Sequence, residues 1–375
     1  MKRLEEKVAV AGVGHTAYGN FPDRDEYSLA TEAFARALAD CGLRKDQIDG
    51  LGICRIPDYT VMGETLGLNP RWTMQFPAHG RMSGMGILMA ASAIATGQAN
   101  AIALLYANIG RSRRVNYGGD EIPSLWDAWN YTSPGAAYSL MFRQHMERYG
   151  TTTRQLGEVS VAIRSHAVLN PDAVMRKPIT LDDHEASRPI VAPLRLFDYC
   201  LINDGAVCII LTSADRARDL AKPPVLIAGH GGYDGLATSS ILGYDRDCFY
   251  DHLRIAGEDS YRTAGISRDD VDALMVYDNF SPAVLFALEG LGYCGRGESG
   301  AFVENGGIAL GGRLPVNTDG GHLSNSYLQG WALNVEAVRQ IRGEGGERQV
   351  PDCKIVQYAQ GTPCTRSIIY TAEGL

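Results

Sequence analysis

Apolar positions fall into two kinds of run along this chain. Val8–Gly14 (VAVAGVG), Ala101–Tyr106, Val225–Gly231 (VLIAGHG) and Lys354–Tyr358 are almost continuously apolar, which suits strands covered on both faces by helices. Between them the period lengthens. Tyr27–Asp40 reads as an alanine-rich amphipathic helix and Ser83–Ala99 as a small-residue helix. Leu333, Val335, Ala337, Val338 and Ile341 form an i, i+3, i+4 stripe that stops at Gly343. Ahead of that stripe, Gly320 and Gly321 predict a glycine loop feeding a helix, with Tyr327 at the turn; amides at such a helix start attract anions or developing negative charge.

The order of elements repeats. After the first strand and helix comes CGLRKDQIDGLGI; after the third strand and a helix over about 247–264 comes AGISRDDVDALMV. Gly42 with Gly265, Asp46 with Asp269, Ile48 with Val271, Asp49 with Asp272, Leu51 with Leu274 and Ile53 with Val276 share one offset, as an internal duplication requires. The fold class is therefore α/β, with two β-α-β-α-β halves, 1–220 and 221–375, packed in five layers. Between the halves, about 107–199, runs an excursion from the first half containing WDAWNYTSPG and helices near Tyr138–Tyr149 and Thr153–Leu169. It returns at a last strand, Asn203–Ser213. Long excursions of this kind commonly cover a ligand.

Composition narrows the function. A chain of 375 residues, 45% hydrophobic and 21% charged with 43 glycines, has the make-up of an α/β enzyme, and no apolar run approaches the ~20 residues of a membrane span. No signal-peptide pattern opens the chain, so the cytoplasm is expected. A net charge of −8, with Arg111, Arg113 and Arg114 as the one tight basic cluster, argues against nucleic acid. The eight cysteines are scattered without ligand spacing, so neither a disulfide frame nor a metal site is expected.

Two duplicated halves, the closing strand DGAVCIILTS and the C-terminal GGHLSNSYLQG loop followed by EAVRQIRG resemble the thiolase superfamily, in its sterol carrier protein thiolase branch, over essentially the whole chain. That family places its chemistry on four loops, and each usual residue is replaced here. Arg81, in RMSG, stands where the nucleophilic cysteine belongs, and arginine cannot take up an acyl group. Tyr277, in YDNF beside Asp278, replaces one histidine, and Tyr327 replaces the other. In AQGTPC, Ala359 or a near neighbour replaces the second cysteine; Gly361 keeps a backbone N–H, and Cys364 lies late in the loop.

This pattern resembles the thiolase-like steroid side-chain aldolases, as do YDNFSPAVLFALEGLGYCGRGESGAFVENGG and GGRLPVNTDGGHLS. The resemblance implies retro-aldol cleavage of a β-hydroxyacyl-CoA, such as a steroid side-chain ester, to a ketone and a short acyl-CoA. Tyr277 and Tyr327 would carry the proton chemistry. Gly321, Gly361, Arg81 and Asp278 are candidate substrate or oxyanion contacts, as is His322, to which the resemblance assigns no role. It also implies no cofactor in this chain, a homodimer, and a small OB-fold, zinc-ribbon partner completing a heterotetramer. Either a phenol ionises, which needs its pKa to fall from ~10 by about three units, or it stays protonated and donates. A solvated turn is the simplest account of His322, and helix capping ahead of Ser281 competes for Asp278. Two other readings stand beside the aldolase: a divergent thiolase using Cys364, and a non-catalytic acyl-CoA or lipid carrier.

Overall fold

The computed structural model describes residues 8–77, 80–115, 133–235, 248–361 and 364–373. The first half supplies β1 (Val8–His15), α1 (Glu26–Cys41), β2 (Gly50–Cys54), α2 (Tyr59–Leu66), β3 (Trp72–Phe76), α3 (Ser83–Ala95) and β4 (Ala101–Ile109). Next come α4 (Pro134–Tyr149), α5 (Thr153–Leu169), α6 (Leu181–Ala186), a ribbon of β5 (Pro189–Val191) and β6 (Leu194–Arg195), then β7 (Asp204–Ser213) and α7 (Ala214–Ala217). The second half supplies β8 (Val225–Tyr233), α8 (Cys248–Ala264), β9 (Ala273–Val276), α9 (Pro282–Gly290), α10 (Ser299–Val303), α11 (Trp331–Ile341), β10 (Ile355–Gln360) and β11 (Thr365–Ala372).

The duplication has a physical basis in two places. Asp49 accepts hydrogen bonds from the N–H groups of Asn100 and Ala101, and Asp272 accepts from those of Lys354 and Ile355. Each aspartate thus ties the loop before its own strand to the start of the parallel neighbour, β4 or β10. Gly12 and Gly229 form the second match. A Cβ on Gly12 would lie 2.5 Å from the Ala37 carbonyl of α1, and one on Gly229 2.4 Å from the Ser260 carbonyl of α8. These glycines let a helix lie directly on the strand, which runs past the expected ends at Gly14 and Gly231 to His15 or Tyr233.

Strand order within the halves is the same, β2-β4-β7-β1 against β9-β10-β11-β8, with β3 added at the first edge. The halves also join. β1 pairs antiparallel with β8 at Ala9↔Leu226 and Val10↔Val225, so the described strands other than the ribbon make one mixed sheet. Three helix layers flank and separate its two parts. Leu29, Ala33 and Phe34 of α1 pack on Leu51, Ala103 and Ile210. Ile87 and Ala90 of α3, with Trp331 and Leu333 of α11, fill the middle between Leu104 and Ile209 on one side and Val356 and Ile368 on the other. Leu253 of α8 and Leu285 of α9 cover Leu274, Ile355 and Ile369. The result is the expected helix–sheet–helix–sheet–helix arrangement.

Described residues of the excursion pack on the second half. Tyr138 and Phe142 of α4 and Leu156, Val159 and Ile163 of α5 share a core with Leu285, Phe286 and Leu288 of α9. Part of WDAWNYTSPG and two residues of AQGTPC lie outside the described residues. Among the described residues no helix is long and apolar enough to cross a membrane.

Candidate active site

Tyr277 follows the end of β9, and its N–H donates to the Ala359 carbonyl of β10 at 2.9 Å. It stands at the carboxyl ends of parallel strands, where α/β sheets bind ligands. The Gly320–Gly321 pair opens one wide helical turn over Gly321–Asn325, not α11, which starts ten residues after Gly321 at Trp331. From that turn the chain extends through Ser326, and the Tyr327 N–H donates to Asn203 Oδ1 at 2.7 Å. The two hydroxyls meet at 2.9 Å, and Tyr277 and Tyr327 are 3% and 9% exposed. Burial pushes the Tyr277 phenol well above its ordinary pKa, the Tyr327 hydroxyl adds to this, and Arg81 pulls it back in part. Burial thus favours the protonated form of Tyr277, the second of the two options open in the sequence.

Arg81 comes over the pair from the loop before α3. A Cβ on Gly80 would lie 2.7 Å from the Tyr277 hydroxyl, so only glycine lets this backbone approach so closely. Arg81 itself takes the left-handed conformation, φ 67°. Its Nη2 donates to the Tyr138 hydroxyl at 2.7 Å, and its guanidinium carbon stands 5.2 Å from the centre of the Tyr277 ring. The Gln360 amide holds the loop, donating to the carbonyls of Arg81 and Cys364 and accepting from the Gly84 N–H. Arg81 is a buried cation whose Nε has no partner, and among the described residues no carboxylate pairs with it. A buried charge left this way favours an anionic ligand.

The remaining expected residues divide. Asp278 caps no helix: it accepts from the His322 N–H at 2.8 Å and holds the wide turn. Gly321 does not offer its amide to a ligand, because that N–H donates to Asp319 Oδ1 at 2.8 Å; with φ 56° and Asp278 Oδ2 2.2 Å from any added Cβ, it is glycine for the turn's sake. Gly361 packs against Phe249. His322 is fully buried, contrary to a solvated turn, and burial together with Arg81 lowers its pKa to about 3. Its Nε2 accepts from the Gly330 N–H at 2.9 Å, so that lone pair is not open to a substrate. Asn203, Gly80, Tyr138 and Gln360 escaped the sequence reading. For Asn203 the one signal was its place at the head of the NDGAVCII strand.

All seven described cysteines are pushed above the ordinary thiol range, with burial the first cause in each. Cys364 shares this, so no thiolate is prepared for acyl transfer.

Acid should loosen the fold. His322 and His166, the latter near pKa 4, are held neutral by burial, His166 Nε2 accepting from the Leu310 N–H at 3.0 Å. A depressed histidine stabilises fully above about 6.5 and loses that contribution as pH falls toward its folded pKa, roughly 3–4 kcal/mol for His166 and about 5 kcal/mol for His322 at ~1.4 kcal/mol per unit. Asp319, raised to about 6, runs the opposite way over the same window and offsets part of it. Urea unfolding at pH 7, 5.5 and 4 should show stability falling with acid, and His166→Gln should flatten that slope.

Fold and site together define a thiolase-fold enzyme whose candidate site holds a buried phenol pair beside a buried arginine. Residues 236–369 match the Thiolase C-terminal domain-like family. The chain is 34% identical over 360 residues to a steroid side-chain-cleaving aldolase of Thermomonospora curvata, covering 92% of each chain. It is 35% identical to a 17-hydroxy-3-oxo-4-pregnene-20-carboxyl-CoA lyase of Mycobacterium tuberculosis, covering 91% of this chain and 92% of that one. Among solved structures, an Ltp2-ChsH2(DUF35) aldolase superposes with a TM-score of 0.93 at 34% identity, covering 99% of each chain. The chain belongs to the thiolase superfamily, in its group of steroid side-chain-cleaving aldolases. It is a carbon–carbon lyase of the aldolase type.

Proposed function

We propose that this chain cleaves a β-hydroxyacyl-CoA thioester bearing a steroid side chain, by retro-aldol chemistry, to a ketone and a short acyl-CoA such as acetyl- or propionyl-CoA. The observation that carries the reading is the 2.9 Å contact between two buried phenols beside an arginine that has no carboxylate partner among the described residues. The β-hydroxyl gives up its proton, its O–H electrons form the ketone C=O, and the Cα–Cβ bond breaks. That bond's electron pair moves into the thioester enolate, whose Cα then takes a proton.

A Tyr277 phenol that burial keeps protonated does not suit a free base. The pair suits a relay: as one phenol oxygen receives the hydroxyl proton, its own proton crosses to the second phenol, which supplies the enolate carbon, and no phenolate accumulates. We place Tyr277 at the hydroxyl and Tyr327 at the thioester. Arg81 supplies a fixed cation beside the developing enolate, in a site where burial strengthens its field. No covalent intermediate or cofactor enters this scheme.

The solved aldolase named with a DUF35 protein supports a partner of that kind. We extend the reading to a cytoplasmic homodimer joined by a small OB-fold, zinc-ribbon protein into a heterotetramer. Co-purification with a small zinc-containing protein tests the assembly.

The activity is tested by incubating the assembly with a steroid β-hydroxyacyl-CoA and following ketone and short acyl-CoA by mass spectrometry. Cys364→Ser should hold turnover within about threefold, whereas a thiolase working through that thiol would lose its activity almost entirely. A carrier would bind the thioester and release no ketone.

A further inference from the structure

His322 lies in the angle between the two phenol rings. Its ring centre is 4.6 Å from that of Tyr277 at 74° and 5.2 Å from that of Tyr327 at 79°, while the two tyrosines face each other at 77°. The three rings are thus mutually edge-on, and the imidazole fills the corner that keeps the phenols apart at the rings and together at the hydroxyls.

One ring nitrogen is committed. Nε2 accepts from the Gly330 N–H at 2.9 Å, so the proton of the neutral imidazole sits on Nδ1, which lies 3.3 Å from Asp278 Oδ1 without making a hydrogen bond. The same Asp278 oxygen accepts from the His322 N–H, so one carboxylate holds the backbone and lies beside the ring. Gly330 in turn ends the loop that carries Tyr327 and opens α11, where its carbonyl accepts from Asn334. One side chain therefore joins the end of β9, the wide turn and the start of α11. The titratable and charged groups around it are Asp278, Tyr277, Tyr327 and Arg81, with Cys200 beyond Asp278.

Resting on the retro-aldol reading, we propose that His322 is a positioning residue: it sets the phenol–phenol geometry and exchanges no proton with substrate. Nε2 is taken by the Gly330 N–H, Nδ1 lies beside Asp278, and the contacts to both tyrosines are ring against ring. The role is separate from the oxyanion contact that a histidine in this loop would suggest.

His322→Gln keeps an acceptor for the Gly330 N–H and removes the ring. Assayed in the intact assembly on the steroid β-hydroxyacyl-CoA, it should lose about 10–100-fold in kcat, the scale of a misplaced reacting group, with KM within about threefold. The acid and alkaline limbs of its kcat/KM profile should stay where they are. A missing or displaced limb would make His322 a proton carrier and overturn the proposal; so would an unchanged kcat. If the far-ultraviolet circular dichroism of this variant shows it unfolded, His322→Phe is read on the same criteria. Tyr327→Phe, run alongside, separates two failures. Activity lost there but kept by the His322 variants sinks this inference alone, while activity kept by Tyr327→Phe sinks the site and the inference with it.

Discussion

Tyr327→Phe should cut ketone release by about 10²–10⁴-fold, the range for loss of a positioned proton carrier, without unfolding the chain. The ring stays in its buried place, and its contacts to His322 and Tyr277 are those of a phenyl group. What goes is one oxygen, and with it the partner of the Tyr277 hydroxyl at 2.9 Å. In the proposed relay the two phenols act together, so Tyr277→Phe should cost a similar factor and the double variant little more than either, as for catalytic groups that work as a unit. Single-turnover kinetics on all three variants check this. Losses that multiply would mean two independent functions, and turnover within about threefold of wild type would remove the phenols from the chemistry.

Arg81→Met carries the second large effect. Methionine approximates the length and leaves the apolar stem packed, but removes the cation above the Tyr277 ring and the bond to Tyr138. Loss of one pre-set electrostatic partner of a developing oxyanion costs about 10²–10³-fold in kcat, and that is the expectation here, with a smaller change in KM. Arg81→Lys should recover only a minor part. An ammonium cannot lie flat against a ring while donating sideways to a phenol. A spectrophotometric titration of the tyrosines gives an independent check, since removing Arg81 should raise the ionisation of Tyr277 further. Full activity in Arg81→Met would reduce the arginine to packing.

What the chain revealed before its structure was known follows from distance along it. The duplication was legible because its marks are local: Asp49 and Asp272 each sit in a short loop one step before their strand. The phenol pair was legible only through the family resemblance, since Tyr277 and Tyr327 share no local pattern. Misreadings cluster where a short polar signal has a distant partner. Asp278 looked like a helix cap because it stands just ahead of Ser281, yet its partner is an amide of the turn at His322. His322 looked solvated because it sits in a glycine-rich loop, and partners distant in the chain bury it, among them Leu201, whose N–H donates to the His322 carbonyl. β11 was passed over because Arg366 and Ser367 interrupt its apolar run; Arg366 pairs with Asp234 and Ser367 bonds Ser260, partners contributed by other elements.

The way His322 spends its lone pair also bears on where such a protein can go in evolution. Arg81→Cys would put a thiol back where the resemblance locates the family nucleophile, but it would find no group to ionise it. Burial holds the proton on the Tyr277 phenol, and the nearby imidazole is already occupied by the Gly330 N–H. Acyl transfer would return only with several substitutions made together, and each alone gives up the lyase before the older reaction is regained. The phenol pair therefore acts as a ratchet, keeping descendants of this chain on the aldolase side.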